Sequence, residues 1–536
     1  MGQQGRPEEN TIGSGAVPLG RALNRSPRAP RAARRTRRGP RRTLLAVIVA
    51  TAVAFGAIAL GGIVVGATPF AGLLPASVSC SVTIHHENVA NDAVQLAINA
   101  YPGGTICLSA GVFPEQLTIS ASGTTLHGAG ASSTIIEPNG PLALNTYDYD
   151  NTGYSEQAAA IILVEGSSGT PTTSASGVTI ENLQVNGADG QSTFTGCSQG
   201  YFGVDFQASS GTLTDAAVTN VALPPALFGC QQGLAVYAYN GYFNYGMTAA
   251  TPDAVTISHT VISNFDKNAI TCDDPMETCT IASNTITGAG VLDDNAQNGV
   301  QVAWGAQAAV SSNKVYTTGG YDGAGGCSGA TQGAYEVCSG NEGAGILLYD
   351  AATGSTVSGN TLSGNEYGID YFADGLASDG YVGPVAVTIS HNTVDSSIAY
   401  GIVAEGAPGG GDSITISHNT VDNEASLDAS IWGAPGILVD TGNFTLAGNT
   451  VQGSSTVVGA SDGASQEVCG PDYGATLGPY LDCGTTTNLT TAAIQASSES
   501  ATNPTNVTLS GTTFGEDSNL IATLGVLGGT TDLLET

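Results

Sequence analysis

One eight-residue phrase constrains this chain more than any other feature. VTISHNTV at 387–394 returns as ITISHNTV at 414–421. Looser copies stand at 444–451 (FTLAGNTV), 355–362 (STVSGNTL), 308–315 (AAVSSNKV), 279–286 (CTIASNTI), 255–262 (VTISHTVI), 178–185 (VTIENLQV) and 507–514 (VTLSGTTF). Each alternates apolar and polar residues, the period-2 mark of a strand with one buried face. Recurrence of one phrase from 178 to 514 is the signature of a repeat architecture.

A second phrase interleaves with the first, a glycine or small residue followed by an alternating strand. It reads GVDF (203–206), GLAV (233–236), AITC (269–272), GVQV (299–302), GILL (345–348), GIDY (368–371), GIVA (401–404) and GILV (436–439). The shortest step from the Asn of the first phrase to the Gly of the second, Asn360 to Gly368, is 8 residues; the return from Gly436 to Asn449 is 13. A minimal coil of roughly 21–24 residues follows, longer where loops intervene. Two or three short strands per coil at this period predict an all-β solenoid, a parallel β-helix. Each strand pairs with its counterpart about 4.8 Å above and below. Inward Val, Ile and Leu then stack into a long core. Asn284, Asn313, Asn360, Asn392, Asn419 and Asn449 stack at a turn, and with His391 and His418 they read as wall residues rather than chemistry. The 74 glycines and few aromatics of the composition suit many tight turns.

Charge divides the chain. Eleven of the 13 basic residues are arginines between Arg6 and Arg42; only Lys267 and Lys314 follow. All but Glu8 and Glu9 of the 45 acidic residues lie after Arg42. A surface this acidic, rich in Thr, Ser and Asn, repels nucleic acid, anionic lipid and acidic polysaccharide, so no nucleic-acid partner is expected. The basic stretch 1–42 is too polar for a core and reads as a disordered cytoplasmic tail. Residues 43–66 read as a transmembrane signal anchor, since Leu44 to Val65 carries no charge and is long enough to span a bilayer. Cleavage after Ala67 is the competing version, which would make the protein secreted. The expected layout continues with a linker at 67–88, a β-helix at 89–515 and a C-terminal cap or tail at 516–536. The predicted location is the cell membrane, with the β-helix outside.

All ten cysteines fall in the exported part: Cys80, Cys107, Cys197, Cys230, Cys272, Cys279, Cys327, Cys338, Cys469 and Cys483. An even count there predicts disulfides, and no C-x-x-C spacing supports zinc. Pairing between neighbours (Cys272 with Cys279, Cys327 with Cys338, Cys469 with Cys483) is the economical arrangement; the rest of the connectivity stays open.

Val89–Ala100 (VANDAVQLAINA) has the spacing of a short amphipathic helix, ended by Pro102-Gly103-Gly104, and would cap the open end of the stack. It runs into strands at 105–113, 116–120 and 124–130. This helix, the segment AYPGGTICLSAGVFPEQLTI at 100–119, TTLHGAG and the Asn-Thr/Gly-Ile coils together resemble the pectin-lyase-like superfamily, and more narrowly its right-handed parallel β-helix repeat proteins. The likeness spans about residues 80–515. It implies a right-handed coil and is silent on activity, because the fold hosts lyases, hydrolases, epimerases, adhesins and binding proteins.

Polysaccharide enzymes of that superfamily set their residues on the outward positions of one sheet. Here the second phrase predicts one outward column of Asp205, Ala235, Thr271, Gln301, Leu347, Asp370, Val403 and Leu438. The next is Gln207, Tyr237, Asp273, Ala303, Tyr349, Phe372, Glu405 and Asp440. From these, Asp370, Glu405 and Asp273 are the candidate catalytic carboxylates, since a glycosidase needs two flanking the scissile bond. Asp205, Tyr237, Gln301, Tyr349 and Asp440 are candidate sugar contacts. The resemblance does not extend to particular activities. The His-Gly and Arg-x-Lys partners of polygalacturonase-like hydrolases are absent from this outward strip, and a pectate-lyase arginine base cannot exist in an exported part without arginine. Asp273, Asp274 and Glu277 in the Cys272–Cys279 loop form a candidate calcium site, oxygen donors being calcium's preference. The leading expectation is an exported protein that binds, or presents a surface to, extracellular or cell-envelope glycan. A hydrolase acting on a neutral polysaccharide is the alternative, and a passive adhesin-like spacer the third reading.

Overall fold

The computed structural model describes residues 78–535 except 89–91, 150–154, 166–174, 231, 241–251, 291–295, 320–342, 377–380, 398–399, 410, 423–435, 453–491, 498–504, 515–518 and 524–530. The expected tail and signal anchor lie outside these residues. So do Cys327, Cys338, Cys469 and Cys483 and most of the C-terminal 516–536. Among the described residues no helix is long and apolar enough to cross a membrane.

The chain winds through three sheets in fixed order. Sheet A has 14 strands, sheet B 12 and sheet C 13 among the described residues, and successive neighbours within each sheet are one coil apart in sequence. Every pairing on these paths is parallel; the exception is Thr146–Tyr149, which lies antiparallel to Ser155–Glu165. This is a parallel β-helix, wound with the right-handed crossover that parallel strands adopt. Its lumen is filled by one continuous cluster running from Val94 to Leu509.

The founding phrase is two strands, not one. Ala386–Ser390 belongs to sheet A and Thr393–Asp395 to sheet B, with His391 and Asn392 at the corner between them. His391 has φ 57° and His418 φ 55°; Ser283 and Ser312 hold the same left-handed conformation, and so do the glycines Gly359 and Gly448. A residue with positive φ turns the chain sharply, and glycine adopts it without steric cost. Alternation survives across such a corner, which is why the sequence pattern alone reads as one strand.

The asparagine after each corner forms the predicted ladder. Asn392 Nδ2 donates to Asn419 Oδ1 at 3.0 Å and to the Val357 carbonyl at 3.0 Å, while Asn419 Oδ1 also accepts the Asn392 N–H at 2.9 Å. The same bonds link Asn284 to Asn313, Asn313 to Asn360, Asn360 to Asn392 and Asn419 to Asn449. All these amides are buried. Their donors and acceptors are satisfied from coil to coil, as buried polar groups require. His391 and His418 stack outside the ladder, ring centroids 5.0 Å apart. The steps between ladder residues run from 24 residues (Thr260 to Asn284) to 47 (Asn313 to Asn360), so the minimal coil matches the expected length and loops account for the rest.

The glycine of the second phrase has a packing cause. A Cβ on Gly299 would lie 2.5 Å from the Gly345 carbonyl oxygen, and one on Gly345 would lie 2.7 Å from that of Gly368. At the entry to sheet C the backbones of successive coils approach too closely for a side chain.

The helix is Ala93–Ala100, with Val94, Ala97 and Ile98 buried against the first coil; Leu96, on the expected apolar face, is exposed. Its first turn is capped from outside the helix. Glu115 Oε1 accepts the Val94 N–H and Oε2 the Gln95 N–H, both at 2.9 Å. Cys272 pairs with Cys279 as expected. Cys80–Cys107 and Cys197–Cys230 are separated by 27 and 33 residues and so tie one coil to the next. The single strand expected at 105–113 is two, Thr105–Leu108 in sheet A and Gly111–Phe113 in sheet B, broken at Gly111 with φ 140°.

Candidate functional site

Sheet C carries the second phrase, and its register fixes which outward residues share a column. Asp205 pairs with Tyr237, then Thr271, Gln301, Leu347, Asp370, Val403 and Leu438 on successive coils. The next outward column is Gln207, Tyr239, Asp273, Ala303, Tyr349, Phe372, Glu405 and Asp440. The sequence expectation is therefore corrected at one coil. Ala235 lies in the main core, and Tyr237 stands beside Asp205 rather than beside Gln207. Aligning the chain on Gly203 and Gly233 introduces a two-residue slip, which preserves alternation and so leaves no trace in the pattern.

The outer face of sheet C divides along its length. Toward the N-terminus it is covered. Ala158, Ala160, Leu163, Phe202, Leu234, Tyr237 and Tyr239 form a second apolar cluster outside the lumen. The segment around Thr146–Tyr149 lies on it: Thr146 Oγ1 donates to Asp205 Oδ2 at 2.7 Å, and Tyr239 Oη donates to the Tyr147 carbonyl at 3.2 Å. Asp205 and Tyr237 are thereby buried, so these two predicted sugar contacts do not face solvent. Asp440 is also buried, with the Thr441 hydroxyl donating to its Oδ1 at 3.0 Å. Asn268 and Asn298 form the border, both donating to Gln301 Oε1, at 3.0 and 3.3 Å.

Beyond Gln301 the face opens. Gln301, Leu347, Tyr349, Tyr367, Asp370, Phe372, Asp374, Tyr400 and Glu405 are all partly exposed. Tyr349 and Phe372 stack with centroids 5.6 Å apart and planes 11° from parallel; Tyr367 and Tyr400 meet edge to face at 5.2 Å. Coil spacing thus builds two short aromatic ladders, with the carboxylates between and beyond them. Asp370 and Glu405 lie one strand apart and two residues along, which places their Cα atoms about 8 Å apart at ordinary sheet spacings. Asp273 is three strands from Asp370 and two residues along, about 16 Å, and does not join that pair. Asp374 belongs to the open face as well. Its Oδ2 accepts the Tyr349 hydroxyl at 2.8 Å and its Oδ1 the Leu376 N–H at 2.7 Å, which holds the Tyr349 ring in place. Neither Asp374 nor Tyr367 nor Tyr400 stood out in the sequence; extending the second phrase one residue backward reveals the Tyr367–Tyr400 column.

The candidate metal residues sit elsewhere. Asp273, Asp274 and Glu277 are buried together at the corner between sheets C and A, and Asp253 of the preceding coil joins them. Burial pushes the Asp253 carboxyl up to about 6, against a Ser210 hydroxyl donating at 3.2 Å. Glu277 is driven well above the usual carboxylate range by burial and by Asp253, Asp274 and Asp273. Cys272 and Cys279 flank Glu277, but their disulfide removes both thiols as ligands. Only oxygen donors remain.

No protein-family model matches the chain, and no curated protein matches it in sequence. Among solved structures it is similar to the catalytic domain of a GH87 alpha-1,3-glucanase in complex with nigerose, at 10% identity and a TM-score of 0.43, covering 84% of this chain and 68% of that one. It is also similar to the Azotobacter vinelandii mannuronan C-5 epimerase AlgE4 A-module, at 13% identity and a TM-score of 0.38, covering 83% and 94%. A periplasmic alginate epimerase, AlgG, matches at 11% identity and a TM-score of 0.36, with 84% of each chain covered. At such distances the fold assignment rests on the strand order and register above.

Proposed function

We propose that this protein binds extracellular or cell-envelope glycan along the open half of sheet C, held outside the cell by the apolar segment at 43–66 or secreted if that segment is cleaved. The observation that carries this reading is the pairing of partly exposed aromatic ladders with carboxylates on one flat face. Aromatic faces take the apolar face of a sugar ring, and the carboxylates of Asp370, Asp374 and Glu405 accept from its hydroxyls. A featureless Thr/Ser/Asn face would instead suit a spacer. The exported part carries no arginine and two lysines, so the preferred ligand is a neutral polysaccharide rather than a uronate polymer. The helix at Ala93–Ala100 closes the N-terminal end of the stack in this reading.

One observation favours a hydrolytic second reading. Asp370 and Glu405 share the open face with Cα atoms about 8 Å apart, a spacing from which their carboxyls can reach the roughly 6.5–9.5 Å separation of inverting glycosidases, where one carboxyl protonates the leaving oxygen and the other activates water. The full-length chain screened against neutral and acidic glycans, scored for binding and for new reducing ends, tests both. Binding to neutral glycan without cleavage is the expected result. Release of reducing ends favours the second reading, and retention of no glycan at all removes the first. Cleavage of a uronate polymer would overturn the charge argument.

A further inference from the structure

Where sheet C hands each coil to sheet A, the lumen carries carboxylates, and two of them at equivalent positions are treated in opposite ways. Asp253 and Glu277 open the strands Asp253–Ser258 and Glu277–Ala282 and stand in register on adjacent coils. They share the inward alternation of Val255 and Cys279, which lie in the core. Following the register through Ala309, Thr356 and Thr388 to Thr415 brings Asp412 into the same position farther along the helix.

Asp412 shows how this corner accommodates a buried carboxylate. Oδ1 accepts the Tyr381 hydroxyl at 2.6 Å and the Val385 N–H at 2.9 Å; Oδ2 accepts the Tyr371 hydroxyl at 3.1 Å and the Ala407 N–H at 2.9 Å. Glu277 has no such donors. It is 0% exposed, and neither carboxylate oxygen accepts a hydrogen bond. Asp253, Asp273 and Asp274, none more than 4% exposed, surround it. A buried carboxylate without donors is strongly unfavourable, and adding three acids makes it more so. Neutral donors answer the requirement at Asp412; at Glu277 the surroundings call for positive charge.

We propose that this corner binds one hard divalent cation of calcium's size, with Glu277 and Asp253 as ligands and Asp273 and Asp274 completing the oxygen shell. Calcium accepts six to eight oxygens in irregular geometry, whereas magnesium demands a near-ideal octahedron. The turn between the strands suits the looser requirement: Asp274 (φ 83°) and Met276 (φ 77°) both take left-handed conformations, and the Cys272–Cys279 disulfide closes the loop from behind. The disulfide also removes the soft donors that would select zinc. The site lies at the corner where the coil passes from sheet C to sheet A, away from the open face, and stabilises the coil that underlies the border of that face.

The full-length chain, disulfides intact and freed of metal by chelator, is to be titrated with calcium and with magnesium while its Tm is followed; terbium luminescence gives the stoichiometry. Calcium should raise Tm by at least about 3 °C at saturation, magnesium should do less, and terbium should bind one to one. Glu277→Gln and Asp253→Asn should each abolish the shift while leaving the metal-free Tm equal or higher, since each removes a buried like charge. The exposed Asp189→Asn should keep the shift. A Tm indifferent to calcium, or a shift in Glu277→Gln equal to that of the natural chain, would overturn the proposal; if Glu277→Gln does not fold, Asp253→Asn decides it in the same way.

Discussion

The two halves of sheet C's outer face stand on the same backbone, one coil above another in unbroken register, yet they present opposite surfaces. In the N-terminal half Phe202, Tyr237 and Tyr239 are buried beneath the segment around Thr146–Tyr149, and their rings pack on each other, Tyr237 against Tyr239 at 4.5 Å. In the C-terminal half Tyr349 and Phe372 pack in the same stacked manner at 5.6 Å and remain partly exposed. Stacked aromatics thus occur in both halves, along one strand for Tyr237 and Tyr239 and from coil to coil for Tyr349 and Phe372. What differs is their exposure to solvent. Aromatics alone therefore do not mark a binding face on a β-helix; aromatics that stay partly exposed do.

Four measurements test that contrast. Tyr237→Ala in the covered half should cost about 3–5 kcal/mol in the denaturant-unfolding free energy, the usual range for deleting a buried aromatic, and leave glycan affinity alone. A loss below about 1 kcal/mol would mean the cover is not a packed part of the fold. Thr146→Ala should cost about 1–3 kcal/mol, because buried Asp205 loses a donor, and Thr146→Ser should restore most of it. In the open half, Phe372→Ala should change stability by less than about 1 kcal/mol while lowering glycan affinity about tenfold or more. Equal affinity in this variant and the natural chain would move the ligand elsewhere. Smallest in stability is Asp370→Asn, expected within about 0.5 kcal/mol. Its value lies in turnover: a hydrolase would lose activity with it and with Glu405→Gln alike, whereas a binder shows only weakened affinity.

Legibility in the sequence varied by feature. The repeat, the solenoid of two or three strands per coil and the asparagine ladder could all be read, because each recurs and each has a periodic cause. Asn392 and its relatives carry the same two bonds in coil after coil, so a single alignment of phrases exposes them. The corner inside the phrase could not be read, since His391 turns the backbone without disturbing the alternation of its neighbours. Nor could the cap that Glu115 places on the helix, which joins residues about 20 positions apart in an order no local pattern records. Among the candidate site residues, Asp370, Glu405 and Tyr349 are picked out by their outward parity and lie together on the partly exposed part of sheet C. Asp205, Tyr237 and Asp440 share that parity but are buried, and Asp273 lies several coils away from Asp370.

The architecture is written in the chain: a parallel β-helix whose coils are set by two short phrases, with inward and outward residues assigned by alternation. That much is local and periodic, and a solenoid makes only neighbour-to-neighbour contacts. Which outward residues meet solvent, and how the inward carboxylates are satisfied, follows from long-range packing. Exposure depends on where a non-repeating segment such as Thr146–Tyr149 comes to rest. Satisfaction depends on donors such as Tyr371 and Tyr381 arriving at Asp412 while none reaches Glu277. Both are long-range outcomes of packing, and neither leaves a period in the chain.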